Sequence, residues 1–456
     1  MASDLTARRM NSAETLDLLR RFESRNVTFM EADGSWPIVW TRAQGNHVWD
    51  AEGRRYLDLT AAFGVAAAGH SNPRVVRAGA RQMSTLLHAM GDVHPHPLKA
   101  LLARALSAIT FERWTGATGS RRTSRKQSFT GKTIFGTSGS EAVEMALKTA
   151  RLATGKPDII AFTGGYHGLG YGALNATHRD HFRGAFLDQL RQFGRFASYP
   201  GPSANAPQDL TKSEAEIRRL FGKHKVGAIL VEPVQARNGI HIPPLGFLPL
   251  LRRLADEFGA LLIVDEIYTG FGRTGRWFAC EHSGVSPDVI CLGKALTGGF
   301  PLSACVGRAD VMDRAWPAST GEAIHTSTYL GHPVGCAMAL AQLREIADRG
   351  LVETAATLGA VLLTGLETIA GRAGRIRRSP RGIGLMAGLE LQHPDGKPAT
   401  HESISVMKAL LHRGFIVLPE GEHSNVVSFT PPLTLTVAQL KRTLGELDSA
   451  LKRIAP

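Results

Sequence analysis

A single lysine, Lys294, stands in the stretch DVICLGKALTGGF between an apolar run and a pair of glycines. The run over 289–292 is typical of a short buried strand, and a lysine at the end of such a strand is rarely buried without a task. If the surroundings lower its pKa from the ordinary value of about 10.4, the neutral amine could form an imine with a carbonyl compound. The alternative is a lysine that extends from the strand end into solvent.

Asp265 follows a second apolar run, ALLIV, and so lies at the end of another expected strand. Burying a carboxylate in that place is costly unless a cation lies beside it. A protonated heterocyclic nitrogen could be that cation. A helix N-cap or an ion pair with an arginine would explain the same residue.

The stretch TSGSEAVEMALKTA predicts a helix that begins near Ser138, because Ser138 and Glu141 have capping-box spacing. Gly139 and Ser140 leave room at its first turn, where the free N–H groups and the helix dipole suit a phosphate. An ordinary capped helix is the alternative. A phosphate turn, a strand-end aspartate and then a strand-end lysine together describe a pyridoxal phosphate site.

These residues need a scaffold that brings them together, and from about residue 132 to 308 short β-like runs alternate with helical patterns. Strand, helix and strand in succession predict an α/β fold with a mainly parallel sheet flanked by helices. Ligands bind at the carboxyl ends of strands in such sheets, which singles out Glu232, Asp265 and Lys294.

The chain has 456 residues, more than one core usually holds, so we expect two closely packed domains. The large domain, 71–335, would bind the cofactor. A smaller α+β domain would be built from the N-terminal segment 1–70, which contains a hairpin pattern, and the C-terminal segment 336–456.

Composition and charge argue against several classes of partner. Hydrophobic residues make up 43% and no apolar run of membrane-spanning length is apparent, so we expect a globular protein without a membrane partner. The net charge of +13 could attract an anion, but the basic cluster at 119–132 has a single aromatic residue, Phe129, and no nucleic-acid-binding motif accompanies it. We therefore expect no nucleic acid partner.

The cysteines and histidines carry less information. Four cysteines form no paired framework and the N-terminus has no signal-peptide pattern, so the expected location is the cytoplasm. His94 and His96 have no cysteine or carboxylate at ligand spacing, and no metal is predicted.

Six motifs occur in an order that resembles the signatures of class III aminotransferases: TSGSEA, GGYHG, EPVQ, DEIYTGFGRTG, GKALTGGFPLSA and HTSTYLGHP. The resemblance covers nearly the whole chain, from Gly34 to Thr436. It implies the fold type I of pyridoxal-phosphate transferases, pyridoxal 5'-phosphate as cofactor, and a homodimer with shared active sites.

The resemblance also implies a role for each matched residue. Lys294 would be the Schiff-base lysine and the base that moves the substrate proton, and Asp265 would hold the pyridine nitrogen protonated. Thr328 would reach the phosphate bound by the neighbouring subunit. The remaining implied contacts hold the phosphate, cover the two ring faces or lie beside the ring: Ser138, Gly139 and Ser140, then Tyr166 and Ile267, then His167.

The departures from the family pattern concern the substrate. Where many members carry an arginine before "xPP", this chain has Ser428, and a hydroxyl does not replace a charged guanidinium fork. Phe63 and Tyr268 stand where several relatives have tyrosine and glutamine, and Glu232 is left without an obvious partner. Arg237 is our candidate for a substrate carboxylate, although a surface arginine is equally consistent.

The implied activity moves an amino group from an amine, an ω-amino acid or an α-amino acid to a 2-oxo acid. An isomerase of the same family, a racemase, epimerase or aminomutase, stays open, because the same motifs do not dictate which bond breaks. A basic binding protein without activity would fail to bind the cofactor and would bind nucleic acid in a salt-sensitive way.

Overall fold

The computed structural model describes residues 10–117, 129–201 and 206–454. Most of the basic cluster at 119–132 lies outside these ranges. The strands are β1 Trp40–Gln44, β2 His47–Asp50, β3 Arg55–Asp58, β4 Gly131–Gly136, β5 Asp158–Phe162, β6 Gly194–Ala197, β7 Val226–Val231, β8 Leu261–Asp265, β9 Val289–Leu292, β10 Ser303–Arg308, β11 Arg377–Ile383, β12 Met386–Gln392, β13 Phe415–Ile416, β14 Leu418–Glu420 and β15 Val426–Phe429.

The helices surround three sheets that these strands form. They are α1 Ser12–Phe22, α2 Ala61–Gly64, α3 Pro73–Thr85, α4 Pro97–Ser107, α5 Arg113–Ala117, α6 Gly139–Thr154, α7 Tyr171–Leu174, α8 Asp180–Arg183, α9 Ala206–Lys223, α10 Phe247–Glu257, α11 Ala309–Ala315, α12 Pro333–Asp348, α13 Leu351–Ala370, α14 Thr400–His412 and α15 Val437–Ile454.

The central sheet has the strand order β4-β10-β9-β8-β7-β5-β6. The strands from β9 to β6 in this order are parallel, while β10 is antiparallel to both of its neighbours. Every residue of β7, β8 and β9 is buried, as expected when helices cover both faces of a parallel sheet. The predicted α/β fold with a mainly parallel sheet is confirmed.

The two faces of this sheet pack against different helices because side chains alternate along each strand. Leu230 and Ile263 belong to the core cluster that includes α6. Ile229 and Leu262 belong to the larger cluster that includes α10. The sheet is therefore held rigidly between layers, which fixes the positions of its strand ends.

The first small sheet, β1-β2-β3-β13, joins the two ends of the chain. The predicted hairpin forms as β2 and β3, and β3 pairs in parallel with β13, with Leu57 opposite Phe415. The second small sheet, β11-β12-β15-β14, comes from the C-terminal part alone. The domain boundaries stay a prediction. The helix α12 runs across the boundary expected at residue 335.

One expectation about apolar runs is wrong. The helix α13 is 20 residues long and apolar enough to cross a membrane by length and composition. Its residues Leu358, Leu362 and Leu366 belong to the main core cluster, where the helix packs against β11 and α15. A helix buried in the protein core can therefore have the length and composition of a membrane-spanning helix.

Candidate active site

Three neighbouring strands end at one edge of the central sheet and present the three predicted residues there. Glu232 follows β7, Asp265 ends β8, and Lys294 follows β9 after one glycine. The parallel pairing of β7 with β8 and of β8 with β9 places these ends side by side. They border a cavity of about 380 Å³, and ten of the predicted residues line it: Gly139, Ser140, Tyr166, His167, Glu232, Arg237, Asp265, Ile267, Tyr268 and Lys294.

The carboxylate of Asp265 is held by a histidine and by the backbone. His167 Nδ1 lies 2.8 Å from Asp265 Oδ2, and the Ile267 N–H donates to Oδ1 at 3.1 Å. Burial opposes the charged form of His167, but the hydrogen bond and negative charge of Asp265 outweigh it and raise the pKa of the imidazole. The sequence did not indicate which group His167 contacts. In the structure, His167 orients the carboxylate of Asp265.

Lys294 lies in an environment that favours a neutral amine. Desolvation lowers the pKa of its amino group from 10.5 to about 8, although the charges of Asp265, Glu232 and Glu420 act in the opposite direction. Its Nζ stands 3.7 Å from the centroid of the Tyr268 ring. Its φ is +43°, an uncommon value for a residue with a side chain. The lysine is held at the cavity and does not extend into solvent.

The first turn of α6 lines the same cavity through Gly139 and Ser140. Ser138 Oγ accepts the N–H of Glu141 at 3.2 Å, as predicted, but the Glu141 carboxylate reaches back to Thr137 instead of completing a capping box with Ser138. The N–H groups of Gly139 and Ser140 have no acceptor within the helix, because they precede its first regular hydrogen bond. Two donors and the positive end of a helix dipole thus face the cavity.

Two glycines allow close packing around this turn. A Cβ at Gly139 would come within 3.0 Å of Ile267 Cδ1. A Cβ at Gly168, where φ is +110°, would come within 2.7 Å of Ser140 Cβ. Ser140 Oγ accepts the Gly170 N–H at 3.0 Å, which leaves its own hydrogen free to donate. This cradle of backbone and hydroxyl donors fits a phosphate.

Glu232 has a partner that the sequence did not reveal. The Tyr166 N–H donates to Glu232 Oε1 at 2.9 Å, and the Tyr199 hydroxyl donates to the Glu232 carbonyl oxygen at 3.1 Å. Burial raises the pKa of the Glu232 carboxyl to about 7. The partner that the sequence left unidentified for Glu232 is thus a backbone group.

Arg237 meets a carboxylate that sequence reasoning missed. Its Nη1 lies 3.6 Å from Glu420 Oε1, and its guanidinium carbon lies 5.7 Å from the centroid of the Tyr166 ring. Glu420 ends β14, in the C-terminal sheet, and only its place after the apolar run FIVLP could have marked it as a strand-end carboxylate. Burial raises the pKa of Glu420 to about 7.

Four predicted residues lie outside the cavity lining. Ser138 caps α6, and Thr328 is exposed on the surface of the chain. Ser428 is buried in β15, where its hydroxyl donates to the Leu418 carbonyl oxygen at 3.0 Å. Phe63 is 47% exposed, while the next residue, Gly64, packs against the Tyr268 ring.

The geometry agrees with a family match. Residues 29–451 match the family described as aminotransferase class-III. This chain belongs to that family. The resemblance noted in the sequence is confirmed.

Curated class III aminotransferases are similar over most of their length. The chain is 36% identical over 428 residues to the putrescine aminotransferase of Pectobacterium atrosepticum, covering 92% of this chain and 84% of that protein. It is 35% identical to the 5-aminovalerate aminotransferase of Pseudomonas aeruginosa, covering 92% and 94%. It is also 35% identical to the 4-aminobutyrate aminotransferase of Escherichia coli, covering 90% and 92%.

Solved transaminases share the fold. One from the marine bacterium Virgibacillus gives a TM-score of 0.86 at 25% identity over 97% of this chain and 99% of that chain. An amine transaminase from an uncultivated Pseudomonas species, in its PLP-bound form, gives 0.84 at 29% identity over 95% and 99%. The chain is an aminotransferase that moves an amino group from an amine or amino acid to a 2-oxo acid, and its family implies pyridoxal phosphate.

Proposed function

We propose that this class III aminotransferase binds pyridoxal 5'-phosphate in the cavity between α6 and the ends of β7, β8 and β9. One observation carries the proposal: Lys294, the Asp265–His167 pair and the first turn of α6 converge there. Each group matches a different part of the cofactor. The lysine suits its aldehyde, the carboxylate its pyridinium nitrogen, and the N–H groups of Gly139 and Ser140 its phosphate.

When bound, pyridoxal phosphate supplies an aldehyde for covalent attachment of amines and a ring that withdraws electrons. Tyr166 and Ile267 flank the cavity and would cover the two ring faces. Asp265, oriented by His167, would place its carboxylate beside the ring nitrogen. Lys294 Nζ, neutral in a substantial fraction because its pKa is about 8, takes the proton from the substrate carbon and returns it.

We infer that the donor carries a terminal primary amine and that Arg237 binds the carboxylate of the 2-oxo acid. The named relatives act on putrescine, 5-aminovalerate and 4-aminobutyrate, which all have such an amine. Arg237 lines the cavity and is one third exposed, so its guanidinium can turn toward a bound acid. In the net reaction the amine carbon becomes a carbonyl and the oxo acid becomes an amino acid.

The homodimer with shared active sites is also part of the proposal. The exposed Thr328 is available to a neighbouring subunit, as its motif implies. Beside it lies an exposed apolar surface formed by Leu87, Met90, Val93 and Tyr329. The His88–Tyr329 ring contact, at 5.6 Å between centroids, joins the two segments that carry these residues. Such surfaces are typical of interfaces between chains. Mixing Thr328→Ala with Lys294→Ala protein should restore activity in hybrid dimers, and no restoration would argue against shared sites.

We propose a cytoplasmic enzyme that acts without a membrane or nucleic acid partner. The four cysteines are buried and unpaired, as is typical of a reducing compartment. Fractionation of the native cells would test the location, and recovery in a membrane pellet would contradict it.

The donor half-reaction tests the proposed function. The protein, loaded with pyridoxal phosphate, is mixed with amines, ω-amino acids and α-amino acids without any oxo acid. We expect one carbonyl product per active site and conversion of the cofactor to its amino form with terminal-amine donors. An isomerase would release an isomerised amino compound and no carbonyl product, and loss of cofactor binding would refute the site.

Substitution of Arg237 tests the acceptor contact. Arg237→Ala should raise the KM for 2-oxo acids by about 10-fold to 100-fold, because it removes a charge-assisted hydrogen bond. Arg237→Lys should raise the KM less than Arg237→Ala does, because lysine keeps the positive charge. An unchanged KM for every oxo acid would contradict the assignment.

A further inference from the structure

Glu420 is a buried carboxylate with one oxygen that no hydrogen bond within the described chain satisfies. Its side chain is 2% exposed, and Oε1 has no hydrogen-bond donor among the described residues. The nearest cation on that oxygen, Arg237 Nη1, lies at 3.6 Å, beyond hydrogen-bond distance. Leaving a buried charge without a donor is costly, so this oxygen is suited to receive one from a ligand.

The position of Glu420 relates it to the cavity. It contacts Arg237, which lines the cavity. Its negative charge also acts on two cavity residues: it opposes the desolvation that lowers the pKa of Lys294 and adds to the desolvation that raises the pKa of Tyr268. The charges that act on it come from Arg237, Lys294 and Arg179. Arg179 already donates to the Arg237 carbonyl oxygen at 2.6 Å. The C-terminal sheet thus places one carboxylate beside a site otherwise built on the central sheet.

On this basis, and resting on the proposed function, we propose that Glu420 binds the non-reacting ammonium group of a primary aliphatic diamine donor. An ammonium group is a compact cation with three donors, which matches a buried carboxylate that lacks them. Glu232 is less suited to this role, because the Tyr166 N–H already occupies its Oε1. A donor that ends in a carboxylate would be repelled by Glu420.

The loose contact between Arg237 and Glu420 allows the two halves of the reaction to share one site. With the diamine bound, Glu420 pairs with the ammonium group and Arg237, whose side chain is 33% exposed, remains hydrated. With the oxo acid bound, Arg237 pairs with its carboxylate. Each residue serves as counter-ion to the other between substrates, so neither charge is left alone.

The test compares 1,5-diaminopentane with pentylamine, which differ only in the second amino group. The kcat/KM of the donor half-reaction is measured for the loaded wild type, for Glu420→Gln and for Glu422→Gln, a control on the same segment at an exposed position. We expect the wild type to prefer the diamine and Glu420→Gln to lower the ratio of the two kcat/KM values by about 10-fold to 100-fold. Glu422→Gln should leave the ratio unchanged.

A second measurement does not depend on the variant. The stable phosphopyridoxyl adduct of 1,5-diaminopentane should bind the cofactor-free wild type at least about 10-fold more tightly than the adduct of pentylamine. Equal affinities, an unchanged ratio in Glu420→Gln, or a wild type that uses 5-aminopentanoate as well as the diamine would overturn the inference and leave the aminotransferase site intact. A loaded wild type that accepts no amine or amino acid would overturn the proposed function as well.

Discussion

Replacing Gly139 with alanine tests the phosphate-binding turn. The added Cβ would stand 3.0 Å from Ile267 Cδ1 and 3.1 Å from Ile267 Cγ2, whereas carbon atoms in good contact are about 3.5–4.0 Å apart. Without cofactor, Ile267 can relieve this contact by turning into the cavity, so we expect the variant to fold. With cofactor bound, the ring fills that space and the strain remains.

The size of the effect follows from the cost of overpacking. Inserting a methyl group into a packed site costs about 1–3 kcal/mol, which corresponds to a loss of affinity between about 5-fold and 150-fold. Equilibrium titration of the cofactor-free protein with pyridoxal phosphate measures it. Gly445→Ala is the control, because it also lies in a helix but has no atom within 4 Å of the added Cβ. Equal affinity of Gly139→Ala and wild type would refute the assignment of this turn.

Three further predictions concern charged groups. Asp265→Asn should lower kcat at least about 100-fold without unfolding the protein, since it removes the charge that holds the ring nitrogen protonated; a kcat within about threefold of wild type would argue against this role. Attachment of the cofactor to Lys294 should accelerate about tenfold per pH unit up to pH 8 and then level off, because only the neutral amine reacts and the pKa is about 8; a flat profile would contradict it. Burial raises the pKa of Glu420 from 4.5 to about 7. Between these pH values the folded protein keeps a proton that the unfolded chain has lost, so the free energy of unfolding falls as the pH rises. At 1.36 kcal/mol per pH unit, Glu420→Gln should be more stable than wild type by up to about 3 kcal/mol at pH 8 and by nothing near pH 4.5, and identical denaturation curves at pH 8 would refute this.

The strand-end residues were predictable because local patterns specify them. The apolar runs before Glu232, Asp265 and Lys294 are long enough to mark buried strands, and the parallel arrangement then forces their ends together. The edge strand β6 was not predicted, since its sequence GRFA has no apolar run. Only pairing with β5 makes that segment a strand.

The contacts that depend on the tertiary structure could not be predicted. His167 and Asp265 are 98 residues apart, and no local pattern indicates that their side chains meet. Glu420 reaches Arg237 only because the C-terminal sheet packs beside the large one. The second half of the capping box failed for a different reason, because Glu141 found a closer donor in the backbone of Thr137.

The most direct test of Lys294 as the reactive residue is to locate the covalent attachment of the cofactor. The purified protein, loaded with pyridoxal phosphate, is reduced with borohydride, digested and analysed by mass spectrometry. We expect one phosphopyridoxyl group per chain, on the peptide that contains Lys294, and none on Lys294→Ala protein treated in the same way. A modification on another lysine, or none at all in the wild type, would contradict the assignment of Lys294 as the reactive residue.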